Sequence, residues 1–345
     1  ITQNFNLGKF FESEKNLGVI NMNVDINGKD FSKQNAHLFI QGDVSSVEAA
    51  GYKYQNINLN GEFARNIFNG KILVNDDNLN MDFSGSMDFS KSPTMIDFSA
   101  LVSKAQLSQL HLVNDSLAMN ITGKIQASII GNGLNDAVGV VHLNNVLCEK
   151  DKKAYRFGDI SLSSNNKQDV KTIVLSSSIA DAKVSGRFLP LHVGQSFLEF
   201  LHNYFPVQVP LNLNGKKPKK KVQNDEFAFS LIIKNADPVT KVFFPSIEIA
   251  NNASCAGEYN SLNSLFKLNA SLSFFSAFKY KLSNLNLSSD SKNDQLNFQL
   301  LCDRLNFADS VWIDNLSLNL QGRDDTIDFK THWKNSTQQN YTGDV

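Results

Sequence analysis

Apolar and polar residues alternate with a period of two along nearly the whole chain. Ile20, Met22, Val24 and Ile26 alternate with Asn21, Asn23 and Asp25, and Leu79, Met81 and Phe83 with Asn80 and Asp82. Ile96, Phe98 and Ala100 follow a turn at Lys91-Ser92-Pro93; Leu117, Met119 and Ile121 continue the pattern, then Ile125, Ala127 and Ile129. Phe227, Phe229, Leu231 and Ile233 repeat it, as do Phe266, Leu268, Ala270 and Leu272, and near the end Leu296, Phe298 and Leu300. Successive side chains of a strand point to opposite faces, so each segment carries one oily face and one polar face.

Residues 190–204 depart from this pattern. Phe197, Phe200, Leu201 and Tyr204 stand at helical spacing with Pro206 as a stop, which predicts one short amphipathic helix packed on the sheet. The run Lys216-Lys217-Pro218-Lys219-Lys220-Lys221 predicts a solvated loop, because its proline breaks structure and its charges repel. Contact with anionic lipid heads or a partner is the functional alternative for that run. The expected organisation is a β segment over 1–188, the helix and its connector over 189–210, and a β segment over 211–345 continuing the same sheet.

A loose internal repeat accompanies the alternation. Asn56-Ile57-Asn58-Leu59 recurs as Asp159-Ile160-Ser161-Leu162, Asn284-Leu285-Asn286-Leu287 and Asn315-Leu316-Ser317-Leu318. A pair at alternate positions precedes each copy: Tyr52 and Tyr54, Tyr155 and Phe157, Phe278 and Tyr280, Val311 and Ile313. A polar turn and another alternating strand follow. The unit is a hairpin, and its irregular spacing fits a long meander rather than a solenoid of fixed period.

Composition supports strands over a helical bundle. Phe occurs 26 times, Trp twice and Pro 7 times. The 41% of hydrophobic residues can build a core, and the net charge of -1 offers no global field for nucleic acid or an anionic membrane. Cys148, Cys255 and Cys302 form no disulfide framework and no C-x-x-C pair, and are expected to be buried free thiols. The sequence begins at Ile1 without Met or a signal-peptide pattern, and no apolar run approaches the ~20 residues of a membrane helix. The chain is therefore expected to be a piece of a longer protein, with any anchor outside it.

No catalytic constellation stands out, and the chain is expected not to be an enzyme. His37, His111, His142, His192, His202 and His332 make no H-x-x-x-H or H-E-x-x-H pair, and no metal or cofactor is expected. There is no G-x-S-x-G elbow, P-loop or G-x-G-x-x-G. The acid pairs Asp76-Asp77 and Asp324-Asp325 lie between strands, where neighbouring Asp caps backbone.

A chain of this length holds about twenty strands. So many oily faces must pack on a second sheet, close into a barrel, or curl into a trough filled by something else. Open sheets beyond about ten strands tend to curl or split, which favours the trough. Such a trough would hold acyl chains at roughly 0.8 kcal/mol per buried CH₂. Its candidate lining is Ile20, Met22, Val24, Ile57, Leu59, Leu79, Met81, Phe83, Ile96, Phe98, Met119 and Ile121, then Ile160, Leu162, Phe227, Phe229, Leu268, Leu285, Leu287, Leu296, Phe298, Leu316 and Leu318.

The stretch from Phe68-Asn69-Gly70-Lys71-Ile72-Leu73-Val74 through Leu79-Asn80-Met81-Asp82-Phe83-Ser84-Gly85-Ser86-Met87-Asp88-Phe89 resembles the AsmA/TamB family of translocation and assembly module proteins, in its Bacteroidota form. Met95-Ile96-Asp97-Phe98-Ser99-Ala100 and Leu107-Ser108-Gln109-Leu110-His111-Leu112 are similar too. The family's N-terminal membrane helix and C-terminal conserved domain have no counterpart in this chain. The resemblance implies an all-β, elongated, curled, antiparallel-rich sheet, a "β-taco" or repeating β-groove, with strands across its long axis. It implies a periplasmic segment of a protein anchored in the inner membrane and meeting a BamA/TamA-type outer-membrane protein, both through regions outside this chain. It further implies phospholipid transfer between the membranes, or support of outer-membrane protein assembly, with no catalytic residues. Two other classes fit an all-β chain. An extracellular adhesin or carbohydrate-binding array would show aromatic platforms and D-x-D-x-D-G calcium loops, and the latter are absent. A β-helix polysaccharide enzyme would gather carboxylates on one face, and here they are scattered through turns.

Overall fold

Alternation of this kind folds into long antiparallel strands. The computed structural model describes residues 1–10, 14–29, 37–113, 118–207, 209, 224–292, 295–308, 311–334 and 339–344. Among the described residues the fold is all-β, 71% strand and 7% helix, with 21 strands and three helices in antiparallel sheet that is not closed. The lysine run and Leu117 lie outside the described residues. Two units divide the chain, Ile1–Ser163 and Ser164–Val345.

In the first unit, β1 (Thr2–Asn6) and a single helical turn α1 (Leu7–Phe10) lead into β2 (Leu17–Lys29), β3 (His37–Ala49) and β4 (Tyr52–Ala64). Then come β5 (Ile67–Asn75), β6 (Leu79–Asp88), β7 (Met95–Ala105), β8 (Met119–Ile130) and β9 (Val138–Lys150), with β10 (Lys153–Lys167) crossing the unit boundary. Each strand from β1 to β9 pairs with the next.

The second unit holds β11 (Val170–Ser177), β12 (Ala180–Arg187), α2 (Val193–Tyr204), β13 (Glu226–Ile233), α3 (Asp237–Phe243) and β14 (Ile247–Ile249). It continues with β15 (Ala253–Asn260), β16 (Leu265–Ala277), β17 (Tyr280–Lys292), β18 (Gln295–Ala308), β19 (Val311–Arg323), β20 (Thr326–Lys334) and β21 (Asn340–Asp344). Its meander skips once: β13 pairs with β15, and short β14 adds to the end of β16. The expected helix is α2, starting at Val193 just after Pro190; α1 and α3 were not foreseen.

The turns explain the tightness of the meander. Ala50-Gly51, Arg65-Asn66, Asp151-Lys152 and Asp324-Asp325 are two-residue hairpin loops with both φ angles positive. That geometry matches the strand twist and favours Asn, Asp and Gly. Asp324-Asp325 is thus a turn pair. Asp76 is a cap: its carboxylate accepts from the Tyr52 hydroxyl at 2.6 Å and from the backbone N–H of Gln55 and Asn78 at 2.9 and 2.8 Å.

The internal repeat marks a bulge. Asn56, Asn284 and Asn315, first residues of three copies, have left-handed φ of 52°, 52° and 51°. In the remaining copy Gly158, just ahead of Asp159, takes φ 71°. A bulge inserts one residue, so the inward positions change parity across it. Half-buried Tyr52 and Tyr54 give way to Ile57 and Leu59, and half-buried Tyr155 and Phe157 to Ile160. The third pair differs: Phe278 is the tip of the β16–β17 turn, and the inward residue ahead of that bulge is Leu282.

Candidate functional site: the apolar face of the sheet

Paired residues on neighbouring antiparallel strands project to the same face, so the register gives the surface row by row. In the second unit one row runs Ile173, Val184, Phe229, Gly257, Leu268, Ser289, Phe298, Leu320, Phe329, across β11 to β20. Beside it runs Leu175, Ala182, Leu231, Cys255, Ala270, Leu287, Leu300, Leu318. Phe227, Leu285, Leu296 and Leu316 project to the same face by alternation. All the candidate residues of this unit therefore share one face. Their neighbours Ala228, Ser230, Asn269, Asn286 and Gln299 are exposed on the other.

The first unit repeats the arrangement. Met22 pairs with Val44, Val44 with Ile57, Ile57 with Val74, Val74 with Met81 and Met81 with Val102. A parallel row joins Val24, Gly42, Leu59, Ile72, Phe83, Ala100 and Ile125. Phe98 lies between Gly85 and Ala127, and Ile96 between Met87 and Ile129. Ile20, Leu79, Met119 and Ile121 pair with Val47, Ala105, Lys150 and Cys148. On β10, Ile160 is half-buried and Leu162, two residues on, is 42% exposed.

Several members of these rows are glycines, and aromatic rings lie over them. A Cβ on Gly61 or Gly70 would meet the ring of Phe68 at 2.7 Å, and one on Gly257 would meet Phe229 at 2.6 Å. The ring of Phe205 covers Gly322 in the same way. Phenylalanine and glycine thus share one layer of side chains.

Most residues of the rows are half-buried rather than buried: Phe229, Leu268, Leu287, Phe298, Leu300, Leu318 and Leu320 all keep water contact. In a sheet sandwich such side chains would interdigitate with a second layer. A cover is seen over one corner. Phe200 and Tyr204 of α2, 2% and 5% exposed, pack with Tyr259, and Leu201, Phe205, Phe227, Phe266 and Leu296 surround them. Phe197 is partly exposed and reaches Phe266 at a ring separation of 5.4 Å.

Polar groups fasten that corner. The Tyr259 hydroxyl donates to the Ser196 carbonyl, and Ser196 Oγ donates to the fully buried carboxylate of Asp225. Burial, then the nearby charges of Asp225 and Glu199, push the Tyr259 hydroxyl up to about 12. Burial raises all three thiols, with Cys148 and Cys302 buried and Cys255 half-buried, so none is an activated nucleophile. Among the described residues no group of three His, Cys, Asp or Glu side chains can hold a metal, and no helix is long and apolar enough to cross a membrane.

Bounded hollows lie chiefly on the opposite face. One of about 460 Å³ is lined by Lys267, Asn269, Asp290, Asn297, Gln299 and Asn319, among others. Another of about 430 Å³ in the first unit is lined by Ser84, Asp97, Gln126 and His142. Sequence reasoning did not single out these, nor Val44 and Leu320 of the apolar rows, and it read Ile72 and Val74 as an alternating strand without assigning them to the lining. The row members were detectable by the same alternation, at Val44, at Ile72 and Val74, and at Leu318 and Leu320.

No protein-family model, curated protein or solved structure matches this chain.

Proposed function

We propose that this chain is a periplasmic segment of an AsmA/TamB-like envelope protein whose apolar sheet face carries phospholipid acyl chains between the inner and outer membranes. Outer-membrane protein assembly would draw on the same surface. The observation that supports this reading is the half-buried apolar face, in register over many strands and covered at one corner by α2. Acyl chains satisfy such a face without hydrogen bonds, at roughly 0.8 kcal/mol per buried CH₂. A chain of about a dozen methylenes contributes on the order of 10 kcal/mol before ordering costs. The reading assigns no catalysis, and its membrane anchor and outer-membrane partner belong to regions outside this sequence.

Native mass spectrometry of gently purified protein tests it. Co-purifying phospholipid is expected, with sharply reduced occupancy in Phe298→Asp, which sets a charge among Phe229, Leu300 and Leu320. Gln299→Lys, on the other face of the same strand, should keep wild-type occupancy. Equal occupancy in the two variants, or protein that carries no lipid, would sink the proposal.

A second reading has an observation in its favour. The hollow around Asn269, Asn297 and Asn319 is rich in amide groups, which suits carbohydrate hydroxyls. Glycan-array binding lost in Asn297→Ala, without lipid on the protein, would turn the assignment to a carbohydrate-binding array.

A further inference from the structure

The two edges of the second unit, where its strands turn, differ in chemistry. On one edge β13 enters α3, β16 turns into β17, and β18 leads to β19. Exposed apolar residues gather there: Phe244 after α3, Phe278 at the β16–β17 tip, Tyr280 beside it, then Phe307 and Val311. They are contiguous. The Phe278 N–H donates to the Ser246 carbonyl at 2.9 Å, which sets the tip beside the segment that follows Phe244. Tyr280 and Phe307 stand edge to face with centroids 6.2 Å apart. Ala308 pairs with Val311.

The opposite edge carries Ser261-Leu262-Asn263-Ser264 and the acid pair Asp324-Asp325 at its turns, with Leu262 and, beside Asp325, Val207 exposed among them. The aromatic edge carries lysines instead. Lys279 lies over the Tyr280 ring at 5.5 Å, and Lys281 is exposed next in the chain. Of this edge's acids, Asp181 is paired with Lys234 and Asp237 with Lys241, Glu248 lies on β14, and Asp309 stands between Phe307 and Val311 in the sequence.

The five apolar residues are between 37% and 83% exposed. At roughly 200 Å² per aromatic side chain this leaves on the order of 500 Å² of apolar surface, the size at which a patch on a monomer marks an interaction site. The patch is made of strand ends and the β16–β17 turn tip, with Lys279 and Lys281 beside its rings. Rings that can sink to the acyl boundary beside ammonium groups at phosphate depth are the composition of an interfacial anchor.

We propose that this edge of the second unit docks on an anionic lipid bilayer, with Phe244, Phe278 and Phe307 entering the interface and Lys279 and Lys281 meeting lipid phosphates. The site uses strand ends and is independent of the apolar sheet face, so it stands or falls apart from the acyl-chain reading.

Vesicle co-sedimentation of the whole chain tests it, with vesicles of phosphatidylglycerol and phosphatidylcholine in equal parts against phosphatidylcholine alone. Wild type should bind the mixed vesicles more tightly, and salt should weaken binding. Phe244→Ser with Phe278→Ser should raise the lipid concentration for half-binding at least about tenfold. Phe278 is the most exposed of the rings, so circular dichroism should show an unchanged fold. Lys279→Glu with Lys281→Glu should abolish the preference for phosphatidylglycerol, and Gln299→Ala, on the polar face of β18 away from this edge, should bind as wild type. Wild type that stays in the supernatant, or serine variants that bind like wild type, would overturn the proposal. So would loss of binding in Phe298→Asp alone, which moves the lipid contact to the sheet face. Self-association that the serine variants abolish, without vesicle binding, would make the strip a contact between copies and overturn it equally.

Discussion

The hydroxyl of Tyr259 on β15 donates to the backbone carbonyl of Ser196 on α2 at 2.9 Å, and both residues are buried. One side chain of the sheet therefore holds the helix in place at the height where Phe200 and Tyr204 meet the apolar face.

That bond has a pH signature. The Tyr259 hydroxyl is pushed up to about 12 from an ordinary value of 10.0, so folding favours its neutral form. The stability it contributes is complete below pH 10 and is lost as pH rises through about 12. Urea unfolding as a function of pH should show this alkaline loss in wild type. Tyr259→Phe should lack it, and at neutral pH should be about 1 kcal/mol less stable. Superimposable alkaline profiles would show that Tyr259 does not titrate in this window.

Phe200 is the anchor of α2. Phe200→Ala should cost about 3 kcal/mol in chemical denaturation, because the ring leaves a cavity against Tyr204, Tyr259 and Phe266. Phe197→Ala, on the exposed flank of the same helix, should cost roughly 1 kcal/mol or less. Similar losses at both positions would mean that the helix faces are misassigned.

The bulge residues predict an unusual order of tolerance. Asn284 sits at φ 52°, a region that β-branched residues avoid. Asn284→Val should destabilise by about 1–2 kcal/mol, whereas Asn284→Gly should stay within about 0.5 kcal/mol of wild type. Calorimetry of the two variants decides this, and a valine variant as stable as the glycine variant would argue against the bulge.

Adjacent acids should behave differently. Asp76→Ala strips acceptors from the Tyr52 hydroxyl and from two backbone N–H groups, and should cost about 2–4 kcal/mol. Asp77→Ala, at an exposed position of the same turn, should change little. Thermal melts of the two single variants provide the comparison.

The alternation was enough to read the strands and the face each residue occupies, because period two is enforced wherever one side of a sheet avoids water. Even the bulges leave a trace: Tyr52 and Tyr54 are even-numbered, Ile57 and Leu59 odd, and the switch falls at Asn56. Other features had no such signal. α3 is seven residues long, too short for helical periodicity to emerge, although Asp237-Pro238 is a start signal in hindsight. Asp225 stands in a polar stretch that reads as loop, and its burial depends on Ser196, distant in sequence. The aromatic edge escaped notice because its members come from separate hairpins and become neighbours through strand pairing.

The order of pairing has a consequence for how the sheet is made. Apart from β13 with β15 and β14 with β16, each described pairing joins a strand to the next along the chain. Every closure is therefore local, and no segment must wait for a distant partner to be synthesised. Strands can be laid down one at a time on the edge left by their predecessor, as the chain emerges end first. Growth by accretion also makes length cheap in evolution: a duplicated hairpin slots between its neighbours and extends the rows without disturbing the register already in place.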